Sequence, residues 1–248
     1  MRRARLAFVL PAAAAVVTLV PSAAAHEREY TLSRDWFLPY QGEHEIESRT
    51  FWDTRHGNAT QEFEYEYGVT DWFAIEPGVE FKHDDEKDFE MEGVEMELRF
   101  HFGTFSYGRV LPALNLEYEH PLEDEPGEED HVEAKLIAAV YGRDGQDFAA
   151  NLNFGTSVES SGGDESEMTF GYVRPFGPLH DTEEAGWHRE PRVGVEAIND
   201  FEEDHFKAGP LFVYRGTEHL NVLGSYVFGI DDRDENGDEL RIIVEWEF

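Results

Sequence analysis

Residues 238–248 read DELRIIVEWEF, and their parity is the clearest pattern in the chain. Leu240, Ile242, Val244, Trp246 and Phe248 fall on one parity, and Glu239, Arg241, Ile243, Glu245 and Glu247 on the other. Successive side chains of a strand point to opposite faces, so this is a strand with one apolar and one mostly charged face.

The same alternation runs back through the chain. Phe63, Tyr65 and Tyr67 alternate with Glu62, Glu64 and Glu66, and Phe73, Ile75, Val79 and Phe81 with Glu76, Glu80 and Lys82. Met96, Leu98, Phe100 and Phe102 alternate with Glu95, Glu97, Arg99 and His101. Val132, Ala134, Leu136 and Ala138 do so with Glu133, Lys135 and Ile137, and Phe212 and Tyr214 oppose Lys207 and Arg215. Weaker members lie near 43–52, 110–120, 148–157, 168–173, 192–198 and 220–230. Gly93 breaks the alternation and predicts a bulge. Most segments have about ten residues, the length of a tilted bilayer-crossing strand. About twelve antiparallel strands are expected.

The connectors alternate in character. Residues 68–71, 142–145 and 216–219 are short, each preceded by Tyr67, Tyr141 or Tyr214 or its neighbour, whereas 83–88, 122–130, 160–166 and 231–238 are longer or more acidic. Short turns on one side and longer loops on the other are the asymmetry of a transmembrane barrel. The break at 176–188 is long for the short side.

The N-terminus is built differently. Arg2, Arg3 and Arg5 precede an apolar run from Leu6 to Val20, and Ala23-Ala24-Ala25 follows as a small-residue site. That order is a secretory signal peptide over 1–25, with cleavage expected after Ala25. No later stretch approaches the ~20 apolar residues of a spanning helix. The expected organisation is therefore a leader at 1–25, a plug or periplasmic segment at 26–42 and an outer-membrane barrel over 43–248. Residues 26–42, with Trp36, Phe37, Pro39 and Tyr40, read equally as a plug, a strip along the rim or a disordered leader to the first strand.

Net charge is −34, there is no cysteine, and only four basic residues are lysine. Such a charge repels nucleic acid and calls for salt screening, as in proteins of salt-loving bacteria. The missing cysteines exclude a disulfide framework and thiol chemistry.

Alternation alone fits a soluble β-sandwich as well as a membrane barrel. The barrel is favoured because the pattern covers nearly the whole chain, because Trp52, Tyr67, Trp72, Tyr118, Tyr141, Tyr214 and Trp246 sit near strand ends as in interfacial girdles, and because the chain stops on an aromatic strand. The terminal stretch 240–248 resembles the last strand of Gram-negative outer-membrane proteins. Tyr67-Gly-Val-Thr-Asp-Trp-Phe73 resembles the tight periplasmic turns of small porin-like channels. The resemblance implies an all-β, up-and-down transmembrane barrel in the outer membrane, with Phe248 read by the assembly machinery, lipid as a partner and a monomeric state.

If the apolar faces meet lipid, the charged faces line the lumen, since each charge in hydrocarbon costs several kcal/mol. That assigns Glu45, Glu47, Arg49, Glu62, Glu64 and Glu66 to the lumen, then Glu76, Glu80, Lys82, Glu95, Glu97 and Arg99, and finally Glu133, Lys135, Arg215, Arg241, Glu245 and Glu247. An acidic, water-filled lining favours cations. The expected function is a narrow passive channel for cations or small solutes. The alternatives are a closed barrel whose acidic loops bind divalent cations or lipopolysaccharide, and a soluble periplasmic β protein.

The remaining motifs are weak. Asp232, Asp234 and Asn236 match the first half of a calcium loop, but Ile243 stands where the closing glutamate belongs; an acidic hairpin tip fits as well. Eleven histidines are scattered without a two-His pair. No nucleophile context such as G-x-S-x-G occurs, so neither an enzyme nor a cofactor is expected.

Overall fold

The computed structural model describes residues 29–83, 89–122, 129–158, 164–176, 191–202, 205–215, 219–230 and 237–248. The expected leader and the Asp232, Asp234 and Asn236 loop lie outside the described residues. The elements are β1 (His44–Asp53), β2 (Ala59–Thr70), β3 (Phe73–His83), β4 (Glu90–His101), β5 (Leu111–Pro121), β6 (His131–Tyr141), β7 (Asp147–Ser157), β8 (Asp164–Pro175), β9 (Arg192–Asp200), β10 (His205–Arg215), β11 (Leu220–Gly229) and β12 (Glu239–Glu247).

Each strand pairs antiparallel with its sequence neighbours, and β12 closes on β1, so the sheet is an up-and-down barrel of twelve strands. Closure removes every exposed sheet edge. The expected bulge is present: Glu80 pairs with Gly93 and Phe81 with Met91, which leaves Glu92 unopposed. Strand β1 begins and β12 stops at one mouth, the near end. The two-residue turn between β2 and β3 lies there too, and the strand ends that flank the acidic connectors are at the far end.

The parity read from the sequence sets the two faces. Ile46, Leu116, Leu136, Phe154, Val195, Phe212 and Ile242 project outward and are exposed. Their opposite-parity neighbours Glu45, Glu47, Asn115, Ile137, Asn153, Glu196, Leu211 and Ile243 are buried inside. An outer belt this apolar is far larger than a water-facing patch tolerates. Trp72, Tyr118, Tyr214 and Trp246 are exposed on it near strand ends. Tyr141 departs from the expected girdle. It shares the parity of Ile137 and Ala139, so it points inward and is buried.

The lumen has two walls. Strands β1–β4 and β12 present carboxylates, whereas Leu111, Ala113, Ile137, Ala139, Ala149, Val173, Leu211, Val213 and Leu223 make the other wall apolar in the near half. Tyr30, Trp36 and Phe37, from the segment before β1, pack against that apolar wall. A twelve-strand lumen is wider than its own side chains fill, since about eight strands is the filled limit. The extra chain occupies the difference.

Leu223 is fully buried in this cluster. Leu223→Ala should lower stability by about 2–5 kcal/mol in reversible urea unfolding of the detergent-folded barrel. A loss under about 0.5 kcal/mol, the range of surface substitutions, would show that the near lumen is not packed.

Candidate functional site: an occupied acidic lumen

The acidic wall follows from parity plus register. Across β12, β1 and β2, Glu245, Glu47 and Glu64 stand directly opposite one another, as do Glu247, Glu45 and Glu66. On the following strands Glu76 opposes Glu97, Glu97 opposes Glu117, and Glu117 opposes Glu133. Glu95 opposes Glu119. Like charges directly across a strand pair are destabilising. Such tiers stand only where counter-charges or bound protons offset that repulsion.

Arg34 is the central counter-charge, and it comes from the segment preceding β1. Its guanidinium lies 2.9 Å from Glu97, 3.0 Å from Glu76, 3.4 Å from Glu64 and 4.0 Å from Glu47, all buried. Arg49 bonds Glu47 and Glu64 closely and reaches Glu62 at 3.2 Å and Glu76 at 3.4 Å. Arg99 Nη1 donates to Glu66 at 2.6 Å, and its Nη2 donates to the Phe37 carbonyl at 3.0 Å. The wall therefore holds both the side chain and the backbone of the segment.

The segment 29–40 forms a loop inside the near half of the barrel. Glu29 ion-pairs with Arg192 and Arg215 at the near ends of β9 and β10. The chain then rises to mid-barrel. Thr31 Oγ1 donates to Glu196 at 2.5 Å, the Leu32 N–H donates to Glu196 at 2.7 Å, and Ser33 Oγ donates to Thr169 at 3.1 Å. It descends past Trp36, whose backbone N–H donates to the Tyr141 hydroxyl at 3.2 Å and whose indole N–H donates to the Phe102 carbonyl at 3.2 Å. Residues 29–38 are all buried. Two glycines admit this path: a Cβ on Gly171 would collide with the Tyr30 ring, and one on Gly68 with the Pro39 and Tyr40 carbonyls. The segment leaves the lumen through Gly42, at φ 86°, whose N–H donates to the Gly68 carbonyl at 2.7 Å.

Little space remains beside the segment. A cavity of about 10 Å³ lies among Arg34, Glu45, Glu47, Glu66, Arg99 and Glu245. The far half is open by contrast. One cavity of about 410 Å³ is lined by Asp53, Glu62, Glu80, Lys207, Glu239 and Arg241 among others. Another of about 100 Å³ is lined by Glu133, Asn153, Glu165, Glu167 and Asp200 among others.

The residues expected in the lumen divide accordingly. Glu45, Glu47, Glu64, Glu66, Glu76, Glu97, Arg99, Arg215 and Glu245 are buried around the segment. Arg49, Glu62, Glu80, Glu95, Glu133, Lys135, Arg241 and Glu247 are half-buried. Lys82 is exposed towards the far end and pairs with Glu80 at 3.2 Å and Glu92 at 2.5 Å. The parity reading did not reach Arg34, Glu29 or Asp147, which lie outside regular alternation or at a strand's first residue. The signal for Arg34 was a cation two residues before the apolar run Trp36-Phe37-Leu38, in a segment too short for a domain.

Two carboxyls outside the strands have displaced acidities. Burial raises the Glu43 carboxyl above its ordinary value, partly offset by the Tyr40 backbone N–H at 2.8 Å. Hydrogen bonds from the Tyr118 hydroxyl and from His120 Nδ1, both 2.6 Å, hold Asp130 below its ordinary value.

No family model and no curated protein matches the chain. Solved structures do. The KdgM porin in complex with disordered oligogalacturonate superposes with a TM-score of 0.58 at 9% identity, covering 82% of this chain and 99% of that one. The outer membrane protein Omp33 of Acinetobacter baumannii gives 0.46 at 11% identity, covering 84% and 99%. The first likeness bears on the fold alone: the closed barrel of this chain superposes on that of a porin.

Arg34→Ala would leave Glu47, Glu64, Glu76 and Glu97 facing one another without their central cation. The expected loss is about 3–5 kcal/mol, the cost of stripping a buried ion group of its partner. Arg34→Lys keeps the charge but reaches fewer oxygens and should lose less. Equal urea midpoints for all three proteins would show that the guanidinium does not hold the wall together.

Proposed function

We propose that this protein is an outer-membrane barrel that passes small solutes with a preference for cations, and that its N-terminal segment closes the passage in the state seen here. The observation that carries the reading is Arg34 seated among four carboxylates of the wall. A wall that takes a guanidinium is built for positive charge, and an acidic lining favours cations over anions. The apolar outer belt supports a lipid setting, and the porin fold supports a passage. In that setting the near end is periplasmic and the far-end cavity is a vestibule open to the outside.

The oligogalacturonate bound by the KdgM porin is a polyanion. Tiers of glutamate would repel it, so the solute class is not carried over with the fold. The filled near lumen favours a second reading, a permanently closed barrel whose segment is a structural core.

Single-channel recording in planar bilayers under a salt gradient separates the two. The full-length protein should insert with rare or small openings. Deleting residues 29–38 should give larger steps whose reversal potential shows cation preference, and replacing Glu64, Glu95 and Glu97 by Gln in that background should weaken the preference. A deleted barrel that inserts, keeps its strand content and never conducts would establish the closed reading.

A further inference from the structure

Seven buried carboxylates, Glu45, Glu47, Glu64, Glu66, Glu76, Glu97 and Glu245, crowd the near half of the acidic wall among the described residues. Three guanidinium groups, those of Arg34, Arg49 and Arg99, reach them. The pairing is uneven. Arg34 and Arg49 serve Glu47, Glu64, Glu76 and Glu97, Arg99 serves one oxygen of Glu66 and one of Glu76, and Asn221 donates a neutral hydrogen bond to Glu245 at 2.6 Å.

Glu45 is left out. It is 8% exposed and, among the described residues, its carboxylate has neither a hydrogen bond nor an ion pair. Its strand partners are Glu247 on one side and Glu66 on the other. Glu66 Oε1, also buried, has no hydrogen-bond partner. Both residues line the cavity of about 10 Å³ that Glu47 and Glu245 share. That volume is about one water-sized sphere. Oxygens of Glu45, Glu47 and Glu245 lie within 4.8 Å of one another. Two ligands on opposite sides of a calcium ion, each about 2.4 Å from it, are about that far apart at most, so these oxygens are close enough to share one ion. Magnesium sheds its water reluctantly and is less suited to a nearly dry carboxylate cage.

We infer that Glu45, Glu47 and Glu245, with Glu66 beside them, form a calcium site on the β12–β1–β2 wall next to the inserted segment. The ion binds at the barrel's closing seam and supplies the positive charge that the three arginines do not. The site is separate from the far-end acidic loops and does not depend on whether the barrel conducts.

The test is calorimetric titration of calcium into the folded full-length protein in detergent, in about 0.5 M NaCl to screen surface carboxylates, alongside its thermal midpoint. One saturable site and a raised midpoint are expected. Glu45→Gln and Glu245→Gln should each weaken binding at least tenfold and abolish the calcium-dependent midpoint shift. Both variants remove a repulsive charge, so they should fold without calcium at least as well as the parent. Glu119→Gln, on the opposite tier, should bind as the parent does. No saturable binding in the parent, or binding that persists unchanged in both seam variants, overturns the site; in the first case these carboxylates are held by shared protons instead.

Discussion

The structure depends on electrostatic repulsion between glutamates held in cross-strand register. An antiparallel sheet places residues of the same parity opposite one another, and β1–β6 and β12 put glutamate at many of those places. A covalent frame with a closed hydrogen-bond ladder cannot slide to separate them, because a one-residue slip would turn every side chain to the other face. The charge must be met where it stands. Arg49 and Arg99 meet part of it from the wall, and Arg34 meets its centre from a segment that belongs to no strand.

That division of labour explains the asymmetry of the lumen. The segment has to satisfy two unlike surfaces at once. Arg34 turns towards the carboxylates, while Tyr30, Trp36 and Phe37 turn towards the alanines, leucines and valines of the other wall. Its polar backbone has no sheet to join, so Glu196 and Arg99 supply the hydrogen bonds that burial demands. The barrel interior is thus a core in which one layer is an inserted loop.

Most of the barrel was legible from sequence because strand periodicity is local. Parity alone gave the faces of 238–248, the inward Glu64 and Glu97, and the bulge at Gly93. Tyr141 was misplaced in the girdle because strand-end position was weighed above parity, and parity decides the face. The inserted loop was harder to read for a different reason. Its conformation is fixed by contacts to Thr169, Glu196, Glu97 and Tyr141, all more than sixty residues away, and nothing in its own spacing encodes them. The charge excess was visible as composition, but which carboxylates converge depends on the registers of β1 with both β2 and β12.

A counter-charge carried by a tethered segment differs in kind from one carried by the wall. Arg49 and Arg99 sit on strands and stay with the carboxylates they neutralise. Arg34 is joined to β1 through a short turn at Gly42, so its place in the lumen involves no strand pair. Were it absent, Glu64, Glu76 and Glu97 would gain affinity for any other cation that reached them. Binding of Arg34 and binding of a second cation at Glu64, Glu76 and Glu97 are therefore competing equilibria, and the coupling between them is reciprocal, whereas Glu45 and Glu245 lie beside the segment and take no part in it. Whatever raises cation occupancy of those three carboxylates loosens the segment, and whatever fastens the segment lowers their cation occupancy. The same glutamates that face the lumen thereby also set how firmly the segment is held.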